Sequence, residues 1–204
     1  MIGYYNRSII TTYFSVCVSV AGMALAIDGQ ISWSLICLML SGFYDVIDGR
    51  IARACKRTHA DELNGIQLDS LSDMICFGAL PVVILFNAGL DELYYLPVLA
   101  FFLLAGLTRL SYYNVQADLK DALGETVDGF EGMPITTISI LLPIIYSLHV
   151  FTGDMFEPIL ALAILIIGAM YLSSFKFCKH PGKLKIGVLI ILVMIGFTLI
   201  AIYR

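Results

Sequence analysis

The sequence predicts an all-α, polytopic membrane protein, and three observations carry that prediction. Of its 204 residues, 59% are hydrophobic and only 14% charged. The mean hydropathy of +0.90 is far too high for a soluble chain of this size. Seven apolar runs of 17 to 23 residues are separated by polar turns and connectors, and such a run spans a bilayer when helical. Lys and Arg gather at alternate ends of these runs, the pattern left by cytoplasmic connections. Residues 1–204 read as a single integral membrane domain.

The chain opens on Met1 to Arg7, a short polar stretch in which Tyr4 and Tyr5 suit a membrane interface. The first span is 9–27, longer than the apolar core of a signal peptide and therefore read as retained. Asp28-Gly29-Gln30 turns the chain into a second span, 31–53. Ala54 to Asn64 is polar and reads as an exposed loop. The third span, 66–88, contains Pro81, which removes one backbone donor and predicts a kink or local break. Leu90-Asp91-Glu92 turns into the fourth span, 93–115, which carries Arg109 near its far end. Gln116 to Met133 is acidic, contains glycines and reads as a loop. The fifth span is 135–151, with Pro143 inside it, and the sixth is 158–175. A basic connector, Lys176 to Lys185, precedes a seventh run, 186–203.

An N-terminus in the cytoplasm places Arg7, Arg50, Arg53, Lys56, Arg57, Lys120, Lys176, Lys179, Lys183 and Lys185 on that side. Only Arg204 falls opposite, and Arg109 lies within a span near its cytoplasmic end. The positive-inside rule thus orients the chain. No basic stripe supports nucleic-acid binding. Cys17, Cys37, Cys55, Cys76 and Cys178 form no Cys-x-x-Cys pair, and His59, His149 and His180 are scattered. The cysteines read as small apolar side chains without a disulfide framework.

The chemistry concentrates between Asp45 and Asp73. Asp45 and Asp48 end the second span at i, i+3, and Asp69 and Asp73 open the third at i, i+4, so each pair shares one helix face. Carboxylates at the ends of membrane spans are costly and therefore point to function. Four of them converging require positive charge, and oxygen-only ligation suits two hard divalent cations, Mg2+ or Mn2+. Such a clamp at head-group depth holds a pyrophosphate whose lipid tail stays in the bilayer, with the metals neutralising phosphate oxygens. Arg53 and Arg109 add forked donors for phosphate. Gly49, Ala52 and Gly65 allow close approach to the backbone.

Asp45-x2-Asp48-Gly49-x2-Ala52-Arg53 followed by Gly65-x3-Asp69-x3-Asp73 resembles the signature of the CDP-alcohol phosphotransferases, with eight matched positions over 29 residues. The family pattern leaves eight residues between the arginine and the second glycine, whereas Ala54 to Asn64 makes eleven. The extra three fall in the polar connector, so the aspartate spacing is kept. The resemblance implies a six-helix membrane core, to which 186–203 adds a seventh span, and a homodimer; the Lys and Arg distribution turns the site to the cytoplasm. It implies that Asp45, Asp48, Asp69 and Asp73 hold two metal ions and that Asp73 is also the base that deprotonates the acceptor alcohol. Asp48, Gly49, Ala52, Arg53, Gly65 and Asp69 fall on CDP-lipid-binding positions.

Asp69-Ser70-Leu71-Ser72-Asp73 with Phe77-Gly78 and Pro81, and Leu107-Thr108-Arg109-Leu110 with Tyr113-Asn114, resemble the serine-using branch of the family. That likeness implies CDP-diacylglycerol and L-serine as substrates, with CMP released. Arg109 and Asn114 become candidates for contact with the acceptor or a phosphate. Glycerol 3-phosphate or an inositol phosphate is the alternative acceptor, although the loop 116–133 offers only Lys120 to a second phosphate. A cation transporter is the alternative outside the family, but the aspartates gather at one membrane face with no charged relay across. An aspartate-rich prenyltransferase has no use for the Asp-Gly-x-x-Ala-Arg element. Ser70 and Ser72 lack a histidine placed to activate them and read as helix-packing residues. Tyr112 and Tyr113 read as interfacial anchors.

Overall fold

The structure, a computed structural model, describes residues 9–54, 59–123 and 133–174. Side chains are described there except at 48–54, 59, 60, 62, 117, 118, 120–123, 150, 151 and 154. Every regular element among the described residues is helical, as the all-α prediction requires. Three helical segments, Ile9–Ile27, Leu63–Asn87 and Leu93–Gln116, are long and apolar enough to cross a membrane. Three shorter apolar segments, Ile31–Ile47, Ile135–Ser147 and Phe156–Leu172, stand beside them. The seventh run, 186–203, lies outside the described residues.

Helix α1 (Ile9–Ile27) and helix α2 (Ile31–Ala54) form an antiparallel hairpin. Its turn is a Schellman cap: the Gly29 N–H donates to the Ala26 carbonyl at 3.0 Å and the Gln30 N–H to the Leu25 carbonyl at 2.8 Å. Gly29 sits at φ +79°, a conformation that favours glycine. Small residues line the seam. Ser19 and Ser41 share a 2.8 Å hydroxyl–hydroxyl bond, and the Ser34 hydroxyl donates to the Gly22 carbonyl at 2.7 Å. A Cβ at Gly22 would lie 2.8 Å from the Cys37 Cβ, so the backbones meet here because glycine is present.

Helix α3 (His59–Asp73), a six-residue π-helix (Met74–Ala79) and helix α4 (Leu80–Asn87) follow one another without a break. Two expectations need correction. The predicted loop Ala54 to Asn64 is helical from His59 onward; Asp61 in the first described turn complements the helix N-terminus. The disturbance expected at Pro81 takes the form of the π-helix just ahead of it, where the missing proline donor is accommodated.

Leu93–Tyr95 is a 3-10 turn that leads into helix α5 (Leu96–Leu123). This helix runs eight residues past the predicted span end at 115, because 116–123 holds good helix formers and no glycine before Gly124. A 3-10 turn at Ile135–Thr137 opens helix α6 (Ile138–Ser147), which keeps Pro143 inside it. The expected span 135–151 is interrupted after Ser147. A one-turn helix α7 (His149–Thr152) and a 3-10 turn at Gly153–Met155, where Gly153 has φ +49°, lead into helix α8 (Phe156–Leu172).

Helix α4 packs on α1 and α2, and α5 packs on α8. The core comprises Leu35, Leu38 and Met39 of α2, Phe77 of the π-helix, Leu80, Ile84 and Leu85 of α4, Phe102 of α5, Ile138 and Leu142 of α6, and Leu160 and Ile164 of α8. The close α5–α8 contact depends on Gly168, where a Cβ would lie 2.9 Å from the Phe101 ring. Among the described cysteines Cys76 is buried, Cys37 is half-buried and Cys17 is exposed, and none of the three forms a disulfide.

Candidate active site

Two helices build the site. Asp45 is on α2, nine residues before its end, and Asp69 and Asp73 occupy the last turns of α3. One carboxylate oxygen from each of Asp45, Asp69 and Asp73 lies within 4.8 Å of the others. Asp45 and Asp73 are half-buried and Asp69 is exposed. Two unit charges at that separation repel by about 3 kcal/mol at an effective dielectric of about 20, so the cluster favours a bound cation. Its donors are all oxygen, with no histidine or thiol among them, which fits Mg2+ or Mn2+ better than a soft metal.

The predicted fourth carboxylate, Asp48, lies on α2 one turn beyond Asp45. Its side chain, with those of Gly49, Ala52 and Arg53, lies outside the described residues. Gly65 sits on α3 one turn before Asp69.

Two serines brace the aspartate helix. The Ser72 hydroxyl donates to the Asp69 carbonyl at 2.8 Å, within its own helix. The Ser70 hydroxyl donates to Asn114 Oδ1 on α5 at 3.0 Å. Ser70 thus does the interhelical packing expected of it, whereas the Ser72 hydroxyl bonds within its own helix. The Ser70 bond ties Asn114 to the helix that carries Asp69 and Asp73.

Arg109 lies elsewhere on α5. Its side chain is 6% exposed. The guanidinium donates to the Tyr171 carbonyl on α8 at 3.4 Å and sits 4.7 Å from the centre of the Tyr113 ring. Tyr113 therefore stacks on a cation, a correction to its reading as a plain interfacial anchor, while Tyr112 stays exposed. The Tyr171 hydroxyl donates to the Ile135 carbonyl at 3.0 Å. Thr108, Arg109, Tyr112, Tyr113, Tyr171, Leu172, Ser173 and Ser174 line a cavity of about 260 Å3. Sequence reasoning had no route to Tyr171, which lies 62 residues from Arg109 and contributes a backbone atom.

A family model described as CDP-alcohol phosphatidyltransferase matches residues 6–175, which includes the whole carboxylate cluster and the cavity. The chain belongs to this family. It is 38% identical over 115 residues to the CDP-diacylglycerol–serine O-phosphatidyltransferase of Saccharomyces cerevisiae, covering 55% of this chain and 41% of that one. The archaetidylserine synthase of Methanothermobacter thermautotrophicus is 29% identical over 159 residues, 78% of this chain and 63% of the relative. A CDP-diacylglycerol–serine O-phosphatidyltransferase of Methanocaldococcus jannaschii is 31% identical over 155 residues, 76% and 67%. The aligned stretches thus span from two fifths to two thirds of these relatives' lengths.

The resemblance seen at Asp45 to Asp73 is thereby borne out at the level of the family. Divalent-metal dependence is general to the family, and the cluster of Asp45, Asp69 and Asp73 suits it.

Proposed function

We propose that this protein is a phosphatidylserine synthase, transferring the phosphatidyl group of CDP-diacylglycerol to the hydroxyl of L-serine and releasing CMP. The observation that carries this reading is the convergence of Asp45, Asp69 and Asp73 from two helices onto one point. The names of the relatives support serine as the acceptor.

In this reading Asp45, Asp48, Asp69 and Asp73 hold two divalent cations. Bound there, Mg2+ or Mn2+ neutralises pyrophosphate oxygens and makes the phosphorus easier to attack. Asp48, Gly49, Ala52, Arg53, Gly65 and Asp69 bind the CDP-lipid. Asp73 accepts the proton of the serine hydroxyl as its oxygen bonds to the lipid-side phosphorus. The bond from that phosphorus to the bridging oxygen breaks, and CMP leaves with the electron pair. Asn114, linked to α3 through Ser70, contacts the acceptor.

Arg109 offers a fixed cation for the serine carboxylate or the lipid phosphate. The Tyr113 ring and the Tyr171 carbonyl hold its guanidinium in one orientation, which favours forked binding. The site faces the cytoplasm at head-group depth, a reading that the Lys and Arg distribution supports. The assembly proposed is the family's homodimer, and residues 1–204 form one catalytic domain.

The deciding experiment is CMP release by purified protein in detergent with CDP-diacylglycerol, Mg2+ or Mn2+, and separate acceptors. Release with L-serine and not with glycerol 3-phosphate, inositol or an inositol phosphate is the expected result. Release with another acceptor alone overturns the serine assignment and keeps the chemistry; no release with any acceptor overturns both.

A further inference from the structure

The π-helix Met74–Ala79 begins at the residue after Asp73 and ends two residues before Pro81. It joins a segment that must aim carboxylates at α2 to one that must bury an apolar face against α1 and α2. Upstream, Ser72 is buried at 6% exposure; downstream, Ile84 is buried at 0%. An α-helix advances about 100° per residue, so the twelve steps from Ser72 to Ile84 would leave them about 120° apart around an uninterrupted α-helix. A π-turn takes one more residue per turn than an α-turn and withdraws about 100° of that rotation. Ser72 and Ile84 then fall on one side of the helix, and both are buried.

The side chains within the turn agree. Cys76 Sγ lies 3.5 Å from Ser15 Oγ of α1. A Cβ built on Gly22 of α1 would meet Leu80 Cδ1 at 3.1 Å. Both Cys76 and Leu80 thus face α1, while exposed Leu71 and Ile75 lie away from it. A Cβ on Gly78 would lie 2.7 Å from the Met74 terminal methyl and 3.3 Å from Leu103 Cδ1, so the wide turn packs tightly over its own glycine and against α5.

We propose that this π-turn is a one-residue phase corrector for the active site: it lets Asp69 and Asp73 face Asp45 while α4 keeps its buried face in the core. Its residues are positioning residues that touch no reacting atom. The inference rests on the carboxylate cluster being a cation site, as proposed above.

A π-turn is an α-turn with one residue added, so removing one residue leaves both flanking faces where they were. The test is deletion of Ile75, exposed on the outer side of the turn, beside deletion of Val83 within α-helical α4 and insertion of one alanine after Ile75. Two readouts serve: the rise in melting temperature on adding Mn2+, and CMP release with its Mn2+ dependence. Deletion of Ile75 is expected to fold, to keep the Mn2+-dependent rise, and to stay within about tenfold of the parent in CMP release. Deletion of Val83 and the alanine insertion rotate one flank against the other and are expected to lose the Mn2+ response and at least a hundredfold in release. Misfolding of the Ile75 deletion, loss of its Mn2+ response, or retention of function by either other variant overturns the phase corrector. If the parent protein itself shows no Mn2+ response, the cation-site reading fails instead.

Discussion

The Ser70 hydroxyl donates to Asn114 Oδ1 at 3.0 Å, joining the helix that presents Asp69 and Asp73 to α5. In a membrane protein such an interhelical bond contributes on the order of 0.6 kcal/mol, rarely above about 1.7. Ser70→Ala and Asn114→Ala are each expected to lower stability by about that amount. If Asn114 also contacts the acceptor, Asn114→Ala raises the KM for serine more than Ser70→Ala does. Thermal melting and serine titrations on the two single variants and the double variant check this. Equal serine KM values in the two single variants would reduce Asn114 to a structural tie.

In the proposed reaction the three clustered carboxylates do not carry equal burdens. Asp73→Asn keeps the shape of the side chain but removes both a charged ligand and the proposed base. Its CMP release is expected to fall by about a hundred- to ten-thousand-fold. Asp45→Asn and Asp69→Asn are expected to act through the metal, and raising Mn2+ should recover part of their activity. Chelation should silence the parent protein, and Mg2+ or Mn2+ should restore it. Full recovery of Asp73→Asn by excess metal would remove its role as base.

Arg109 is held between an aromatic face and a backbone carbonyl, an arrangement suited to a planar guanidinium and poorly suited to a lysine ammonium. Arg109→Lys is therefore expected to behave nearly as badly as Arg109→Ala, with at least a tenfold loss in kcat/KM. Steady-state kinetics with serine and lipid varied separately will show which substrate feels the change. Near-normal turnover in Arg109→Ala would exclude any contact with substrate.

Gly22 provides a purely structural test. With the Cys37 Cβ only 2.8 Å from where a new Cβ would stand, Gly22→Ala must part α1 from α2. Overpacking of this kind costs about 1–3 kcal/mol, and the displaced Ser34 and Ser19 hydrogen bonds add to it. A lower melting temperature in detergent, with substrate KM values unchanged, is the expected outcome.

Much of this protein was legible from local pattern. Apolar runs longer than a signal-peptide core marked six helical segments now present in the described residues, and Asp69 with Asp73, one turn apart, could only share a face. Helix ends were harder to read. His59 to Asn64 and Gln116 to Leu123 are polar enough to resemble loops, yet nothing in them breaks a helix, and both extend helices beyond the apolar core. Tyr113 resembled an interfacial anchor because amphipathic rings favour that depth; its stacking on Arg109 depends on the turn of α5 relative to α8.

By itself the sequence determined the all-α membrane class, the family signature and the two carboxylate pairs, because each is set by spacing within one segment. Only the tertiary structure decided that Asp45 meets Asp69 and Asp73, that Arg109 docks on the Tyr171 carbonyl, and that a π-turn interrupts one long helix between Asp73 and Leu80. Those depend on how helices distant in the chain rotate and approach, and that is settled by packing at contacts such as Gly22 with Cys37 and Gly168 with Phe101.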